Sequence, residues 1–401
     1  MSVIEVPIDQ AKVGMYLVGI DVSWMKSPFY KHRFLLSSAE MIKQLAACGV
    51  KVISVDRDKS QCSFAGEPER PTQSTPPPVN RELPAVGLSK EMGQAKSLRS
   101  QSVKQLGLML NGTLEAGSTM DVSAMASIVE ETHNSTLRNA HALLNLFHVN
   151  SRYDDLAAHC YGVMSIALML GQRMDLSDEE LSLLGSASLL MDVGWAKLPN
   201  QLFKNLVPYT EDEYALIQTH VDLSVELLET AKVDDRVIDL VAKHHERIDG
   251  SGYFSQYKGD DVPLMAQIMA LADHYDSLIK GYYDSGSVIP ATALKHIFLA
   301  ANQGKHAREL VELLIQLVGV YPVSSAVLLN TGEKALVTKV NWRDSLRPQI
   351  RIHYSKQGLN LLKPMEVDLY QQQETDGRKI LKVLDPTDKR QDPLGLLSYN
   401  P

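Results

Sequence analysis

A set of side chains with metal-binding chemistry lies in order along the middle of the chain: His159, Asp192, His220, the adjacent pair His244-His245, and Asp273. Imidazole nitrogens and carboxylate oxygens together suit iron, manganese or zinc. A two-metal centre needs a shared carboxylate and several nitrogen donors drawn from different helices, so its ligands must be scattered in sequence. Taken singly the signals are weak, because a lone histidine such as His220, in TEDEYALIQTHVDLSVELLE, is more often surface or core filler. The His244-His245 pair says more. Neighbouring helical positions point about 100° apart, so a single ligand uses both only where it lodges at a helix end.

The rest of the chain bounds what such a centre serves. A length of 401 residues with 44% hydrophobic and 22% charged residues is an ordinary globular composition and leaves room for about two or three domains. The formal charge of −8, from 48 acidic against 40 basic residues, gives no broad cationic field for phosphate backbones, so no nucleic-acid partner is expected. Cys48, Cys62 and Cys160 lie far apart and form no CxxC pair, which fits a reducing cytoplasm rather than a disulfide framework. The N-terminus is broken by Glu5, Asp9 and Lys12, and no apolar run approaches the ~20 residues of a membrane span, so a soluble, cytoplasmic protein without a membrane partner is expected.

The elements that must position the ligands follow from periodicity. Residues 1–65 read as a small α/β domain, with β-rich runs at 16–22 and 51–55 around one helix that Ser37 and Glu40 could open as a capping box and Gly49 would stop. Residues 66–88, including PERPTQSTPPPVNRELP, are too poor in large apolar side chains to fold and read as a proline-rich linker. Residues 89–320 show helical spacing, as in Leu143, Leu144 and Phe147, in Leu181, Leu184 and Leu189, and in Val237, Leu240 and Val241. Beyond them AVLLN, TGEKALVTKVN and QIRIHYS alternate around the turn signal Asn330-Thr331-Gly332, so 321–385 is expected as a small β unit and 386–401 as a loose tail. The fold class is therefore mainly α, with a small α/β domain before the helices and a β unit after them.

One stretch narrows the chemistry. KHHERIDGSGYF, followed by AQIMALADHYDSL, resembles the HD-GYP signature, HHERxDGxGYP and then a helix with Asp-x-x-Asp. The match runs through His244, His245, Glu246, Arg247, Asp249, Gly250, Gly252, Tyr253, Asp273 and Asp276. SLLMDVGWAKLP is similar to that family's LLHDIGKIGIP segment, His159 and His220 stand where two of its histidines do, and the likeness covers 153–320. The N-terminal KVGMYLVGIDVSW and SPFYKHRFLL resemble a small domain of unknown function that often precedes HD-GYP domains.

The resemblance implies an HD-superfamily helical bundle, a metal-dependent phosphodiesterase acting on cyclic di-GMP, and one or two iron or manganese ions. It implies Asp192, His220, His244 and His245 for one metal position, and His159, Asp192 and Asp273 for the other. It also shows what is missing: Met191 stands for the dyad histidine, Trp195 for a phosphate-contacting lysine and Phe254 for the GYP proline, and SLIKGYYDSG lacks a phosphate-contacting arginine. A thioether is a poor substitute for imidazole on iron or manganese. Asp155, one helical turn before His159, is either a compensating ligand or an exposed acid, and Lys197 and Lys280 are expected at the surface.

Three functions compete: an active phosphodiesterase, a noncatalytic module binding cyclic di-GMP or a signalling protein, and a scaffold that has lost its ligands. The retained ligands speak against the last, and losses at the dyad itself favour the module over the enzyme. A homo-oligomer is expected in either case.

Overall fold

The computed structural model describes residues 3–21, 34–36, 39–57, 59–60, 62, 86, 88–112, 120, 122–149, 155–203, 209–282, 287–323, 325–341, 344–372 and 377–384. Apart from Val86 and Leu88, the expected linker lies outside these residues, as do Ser37 of the expected capping box and the tail. The chain forms two compact units, one of residues 1–81 with 172–177, the other of 82–171 with 178–401.

In the first unit, β1 (Val3–Pro7), β2 (Tyr16–Ile20), β3 (Phe34–Leu35) and β4 (Val52–Asp56) make an antiparallel sheet of order β1-β4-β2-β3. Helix α1 (Ala39–Ala47) precedes β4. Leu17, Leu36, Leu45, Ile53 and Val55 are fully buried in one core with Met41 and Ile42 packed against it, which is the apolar face that the helix spacing marks. Gly49 follows α1 with φ +86°, a left-handed conformation that glycine adopts freely and that ends the helix.

The second unit begins with α2 (Leu88–Gly112) and α3 (Met125–Val149). Then come α4 (Leu156–Arg173), α5 (Asp178–Leu190), α6 (Asn200–Phe203), α7 (Glu211–Gln218), α8 (His220–Thr230) and α9 (Asp235–Ala242). Helices α10 (Leu264–Lys280), α11 (Pro290–Asn302) and α12 (Arg308–Val318) complete the bundle. An ordinary surface helix hides one stripe, but α4 is buried at every residue from Ala157 to Gly171, and α10 is buried over most of its length. These two central helices carry His159 and Asp273. Thr210 and Glu213 form a capping box at the start of α7, and Asp234 caps α9 by accepting from Arg236 N.

Helix α3 breaks at Asn139 (φ −167°, ψ 94°), where other hydrogen bonds take over from the helical ones. Val86 N donates to Arg138 O at 3.2 Å, and Asn139 Oδ1 accepts from His141 N at 3.1 Å. Beside the break, Glu91 of α2 is fully buried and accepts from Arg138 Nε (2.8 Å), Arg138 Nη2 (2.9 Å) and Ser135 Oγ (2.8 Å) of α3. Strands β5 (Ala326–Leu329), β6 (Lys334–Lys339), β7 (Gln349–Tyr354), β8 (Asn360–Asp368) and β9 (Ile380–Val383) close the unit as an antiparallel sheet of order β8-β7-β6-β5-β9. The expected turn is present, with Gly332 N donating to Leu329 O and Leu329 N to Glu333 O, each at 2.9 Å. The architecture is mainly helical with small α/β and β parts, as the sequence implies. Among the described residues no helix is long and apolar enough to cross a membrane.

The Glu91 pair gives a pH-dependent prediction. Burial opposes the Glu91 carboxylate, yet the hydrogen bonds from Arg138 and Ser135 hold its pKa below the ordinary 4.5. A depressed carboxyl pKa contributes stability that is present above about pH 4.5 and is lost as the pH falls through the folded-state value. Glu91→Gln should therefore lower unfolding stability by about 1–3 kcal/mol at pH 7. Urea unfolding from pH 7 to pH 3 checks it: the gap between wild type and variant should narrow on acidification.

Candidate metal centre

Each implied ligand sits on or next to a helix end or on a central helix. His159 is in the first turn of α4, and Asp192 follows α5 at the start of a 3-10 turn, Val193–Lys197. His220 is the first residue of α8, His244 and His245 lie just beyond the end of α9, and Asp273 is midway along α10. The adjacent histidines thus stand where helical geometry no longer forces them apart. The structure brings all of these residues together, and none is more than 7% exposed.

Asp192 is the hub. Its Oδ1 lies 3.2 Å from His220 Nε2 and 3.6 Å from His244 Nε2, while its Oδ2 lies 3.1 Å from His159 Nε2. Asp273 reaches His159 Nε2 through Oδ1 (3.4 Å) and His245 Nδ1 through Oδ2 (3.8 Å). Asp192, His220, His244 and His245 each offer an atom within 4.8 Å of the others.

The hydrogen bonds around this cluster fix which nitrogen faces inward. His220 Nδ1 donates to Ile217 O and His244 Nδ1 to Val241 O, each at 2.6 Å, because a carbonyl only accepts. Both Nε2 atoms are left as lone pairs 3.3 Å apart, with His245 Nε2 3.1 Å from that of His220. On the other side His159 Nδ1 lies 2.6 Å from Asp276 Oδ2, and its Nε2 has no hydrogen-bond partner. Neither Asp192 oxygen has one either. Converging lone pairs and buried, unpaired carboxylate oxygens repel one another unless a cation sits among them, so the donor set fits a transition metal.

The pKa directions in the cluster follow from the same contacts. Burial pushes the Asp192 carboxyl up, but His159, His220 and His244 hold it well below the ordinary carboxylate range, and Asp273 is lowered against burial chiefly by His159. Burial, reinforced by His244 and His220, keeps His245 well below the usual imidazole value and therefore neutral. Burial opposes charge on His159, yet Asp276, Asp192 and Asp273 together raise it well above that value.

The HHERxDGxGY run is a clamp. Glu246 is 2% exposed, and its carboxylate accepts from the backbone N–H groups of Ser255 (2.8 Å), Gln256 (3.1 Å) and Tyr257 (3.1 Å). Gly252 passes so close to the histidines that a Cβ there would stand 2.5 Å from His245 O, Glu246 Cα and Arg247 N. Tyr253 stacks on His245 with centroids 4.7 Å apart. Sequence reasoning did not foresee the roles of Glu246 and Asp276, although the HHE triplet and the Asp-x-x-Asp spacing carry both.

The departures from the signature are as concrete. Met191 is fully buried, and Trp195, 3% exposed, stacks on His220 with centroids 5.3 Å apart and rings 26° from parallel. Asp155 is exposed and caps α4 by accepting from Ala158 N at 2.9 Å, so it is an exposed acid and not a compensating ligand. Lys197 is at the surface as expected, but Lys280 is not: it is 2% exposed, with Nζ over the Phe147 ring at 5.4 Å. The expectation fails because α10 is central, so even its last turn is covered, and an aromatic face accommodates the ammonium there.

Comparison with known proteins finds several likenesses. Residues 125–309 match the family described as HD domain, 3–125 a domain of unknown function (DUF3391), and 326–391 a KOW domain associated with HD domain. The chain is 26% identical over 379 residues to the cyclic di-GMP phosphodiesterase PA4108 of Pseudomonas aeruginosa, covering 92% of this chain and 90% of that protein. It is 29% identical over 213 residues to the cyclic di-GMP phosphodiesterase response regulator RpfG of Xanthomonas campestris, covering 52% of this chain and 51% of that one. A 3'3'-cGAMP-specific phosphodiesterase of Vibrio cholerae is 32% identical over 174 residues, 42% of this chain and 32% of that protein. Among solved structures, Bd1817 of Bdellovibrio bacteriovorus, described as an HDG"Y"P protein, matches with 16% identity and a TM-score of 0.48, over 78% of this chain and 98% of that one.

The geometry predicts metal uptake that depends on the paired histidines. The purified wild type should hold at least about one equivalent of transition metal, and His244→Ala combined with His245→Ala should hold almost none. Elemental analysis of both proteins checks it, and equal contents would remove the site.

Proposed function

We propose that this chain, whose residues 125–309 form an HD domain of the HD-GYP type between a domain of unknown function and an HD-associated KOW domain, is a metal-binding protein of cyclic di-GMP signalling with weak or no phosphodiesterase activity. It serves as a nucleotide- or protein-binding module, with residues 89–320 as its functional unit. Cytoplasmic location and a homo-oligomeric state belong to the same proposal.

The observation that carries it is Trp195. An indole lies flat on His220 where the resemblance places a phosphate-contacting lysine, and buried Met191 stands where it places the dyad histidine. Asp192, His220, His244 and His245 would hold one ion, and His159, Asp192 and Asp273 a weaker second one, with iron or manganese the metals such a donor set suits. A bound ion supplies Lewis acidity toward water and phosphate. The chain's own residues do the rest: Asp276 orients His159, carbonyls 217 and 241 orient His220 and His244, and Glu246 holds the histidine loop. At position 195 the chain has an indole and not the lysine that the resemblance implies, and losing one such donor costs about 10²–10³ in rate.

A second reading, an active cyclic di-GMP phosphodiesterase yielding pGpG or GMP, draws support from the named activities of the relatives and from the complete set of other ligands. Turnover of cyclic di-GMP by metal-reconstituted protein under anaerobic conditions separates the two. We expect turnover at least about a hundredfold below the ~10 s⁻¹ common for enzymes. A rate near that value would establish the second reading instead.

Restoring the lost groups is the complementary test. Met191→His with Trp195→Lys should raise metal occupancy and increase hydrolysis by about tenfold or more. No gain in either quantity would mean that Phe254 or the missing arginine matters more.

A further inference from the structure

The C-terminal sheet carries a cavity of about 470 Å³, a size common for small-molecule sites, which run from about 300 to 1,000 Å³. Its walls come from four separate segments. Asp344, Leu346 and Arg347 lie between β6 and β7, Leu369 and Gln372 in and after the 3-10 turn that follows β8, and residues 377–380 lead into β9. Tyr321, just after α12, completes the lining. Hydrogen bonds hold these segments in place. Leu346 N donates to Asp344 Oδ1 and Arg347 N to Asp344 O, each at 3.0 Å, and Leu369 N donates to Pro348 O at 3.2 Å. Arg378 N donates to Gln372 Oε1 at 2.8 Å, Asn330 N to Lys379 O at 2.9 Å, and Lys379 N to Asn330 Oδ1 at 2.9 Å. The walls are thus formed before any ligand arrives, which removes much of the ordering cost of binding.

The lining divides by chemistry. Leu369, Ile380 and Tyr321 belong to the apolar core of the sheet and present carbon to the cavity. Against them stand three cations, Arg347, Arg378 and Lys379, and one acid, Asp344. Arg347 pairs with Asp344 and lies over the Tyr370 ring at 4.9 Å. Arg378 gives Nε and Nη2 to Glu333, at 2.6 and 3.1 Å, a pair that does not use Nη1. With Glu333 counted as well as Asp344, one positive charge is left over. It belongs to the exposed Lys379, whose ammonium has no ion-pair partner among the described residues. In a chain of formal charge −8 such a local excess selects anions. Gln372 has its carboxamide oxygen taken by Arg378 N, so its NH2 group is left to donate.

An apolar wall beside a spare cation takes a ligand that has both a ring and an anionic group. A bare inorganic ion leaves the carbon wall uncovered, and an uncharged ring leaves the ammonium unused. Cationic donors on adjacent residues, Lys379 Nζ and Arg378 Nη1, suit the several oxygens of a phosphate. We propose that this cavity is a second ligand site, for a nucleoside monophosphate: the base lies against Tyr321, Leu369 and Ile380, Gln372 donates to the base edge, and Lys379 with Arg378 meets the phosphate. None of the lining residues is a metal ligand, so the site stands apart from the metal-binding reading above.

The test is isothermal titration calorimetry of the full chain with GMP and, separately, with inorganic phosphate, on wild type and on Lys379→Glu. Lys379 is exposed, so the variant is expected to fold, and far-ultraviolet circular dichroism checks that it does. We expect saturable binding of GMP to the wild type, binding of inorganic phosphate at least about tenfold weaker because it covers no carbon wall, and GMP binding about tenfold or more weaker in Lys379→Glu. Three results overturn the proposal. The first is absence of GMP binding to the wild type. The second is GMP binding by the folded variant as tight as by wild type, which places the nucleotide elsewhere, the metal centre included. The third is inorganic phosphate binding as tightly as GMP, which leaves a bare anion site. The first and third need no variant.

Discussion

A carboxylate buried to 1% exposure cannot stay ionised in a protein interior unless positive charge or hydrogen bonds compensate it, and Asp192 is such a group at the crossing of three helix ends. Burial raises its pKa, while its close contacts with His159, His220 and His244 lower it well below the ordinary carboxylate range. The arrangement makes demands that reach through the bundle. Asp192 must leave α5 at a fixed point, α8 must begin with its first residue against it, and Gly194 N must anchor the turn by donating to Ser224 Oγ at 2.8 Å.

The outer layer serves the same requirement. Histidine nitrogens face inward only if their other nitrogens have acceptors, and these are supplied by backbone carbonyls one turn before His220 and His244 and by Asp276 for His159. The histidine pair is usable because α9 stops at Ala242 and because Glu246 gathers three backbone N–H groups of the following loop. In this centre the groups that orient the histidines are present, while a thioether at Met191 and an indole at Trp195 stand where the resemblance implies a histidine and a lysine.

Much of this was legible in the sequence, for a definite reason. Metal donors have few chemical alternatives, so the histidine and aspartate types and their order survive as pattern, and the Gly-rich run marks where the backbone must pass close to itself. Helical and alternating periodicity likewise marks α1, the central bundle and β5 to β7. Strands β8 and β9 gave no comparable signal, because β8 is largely exposed on both faces and does not alternate.

Contacts between residues distant in sequence were settled only by tertiary structure. Lys280 reads as a surface residue until α10 is known to be central, and Asp155 reads as either ligand or surface acid until its cap to Ala158 is seen. Trp195 announces only a missing lysine, whereas its ring lying on His220, with Phe203 and Tyr282 behind it, depends on packing among α6, α8 and α10. The sequence by itself determined which atoms are available to bind an ion, because that is a property of residue type. How side chains from separate segments pack around those atoms depends on tertiary contacts, and only the folded chain decided that.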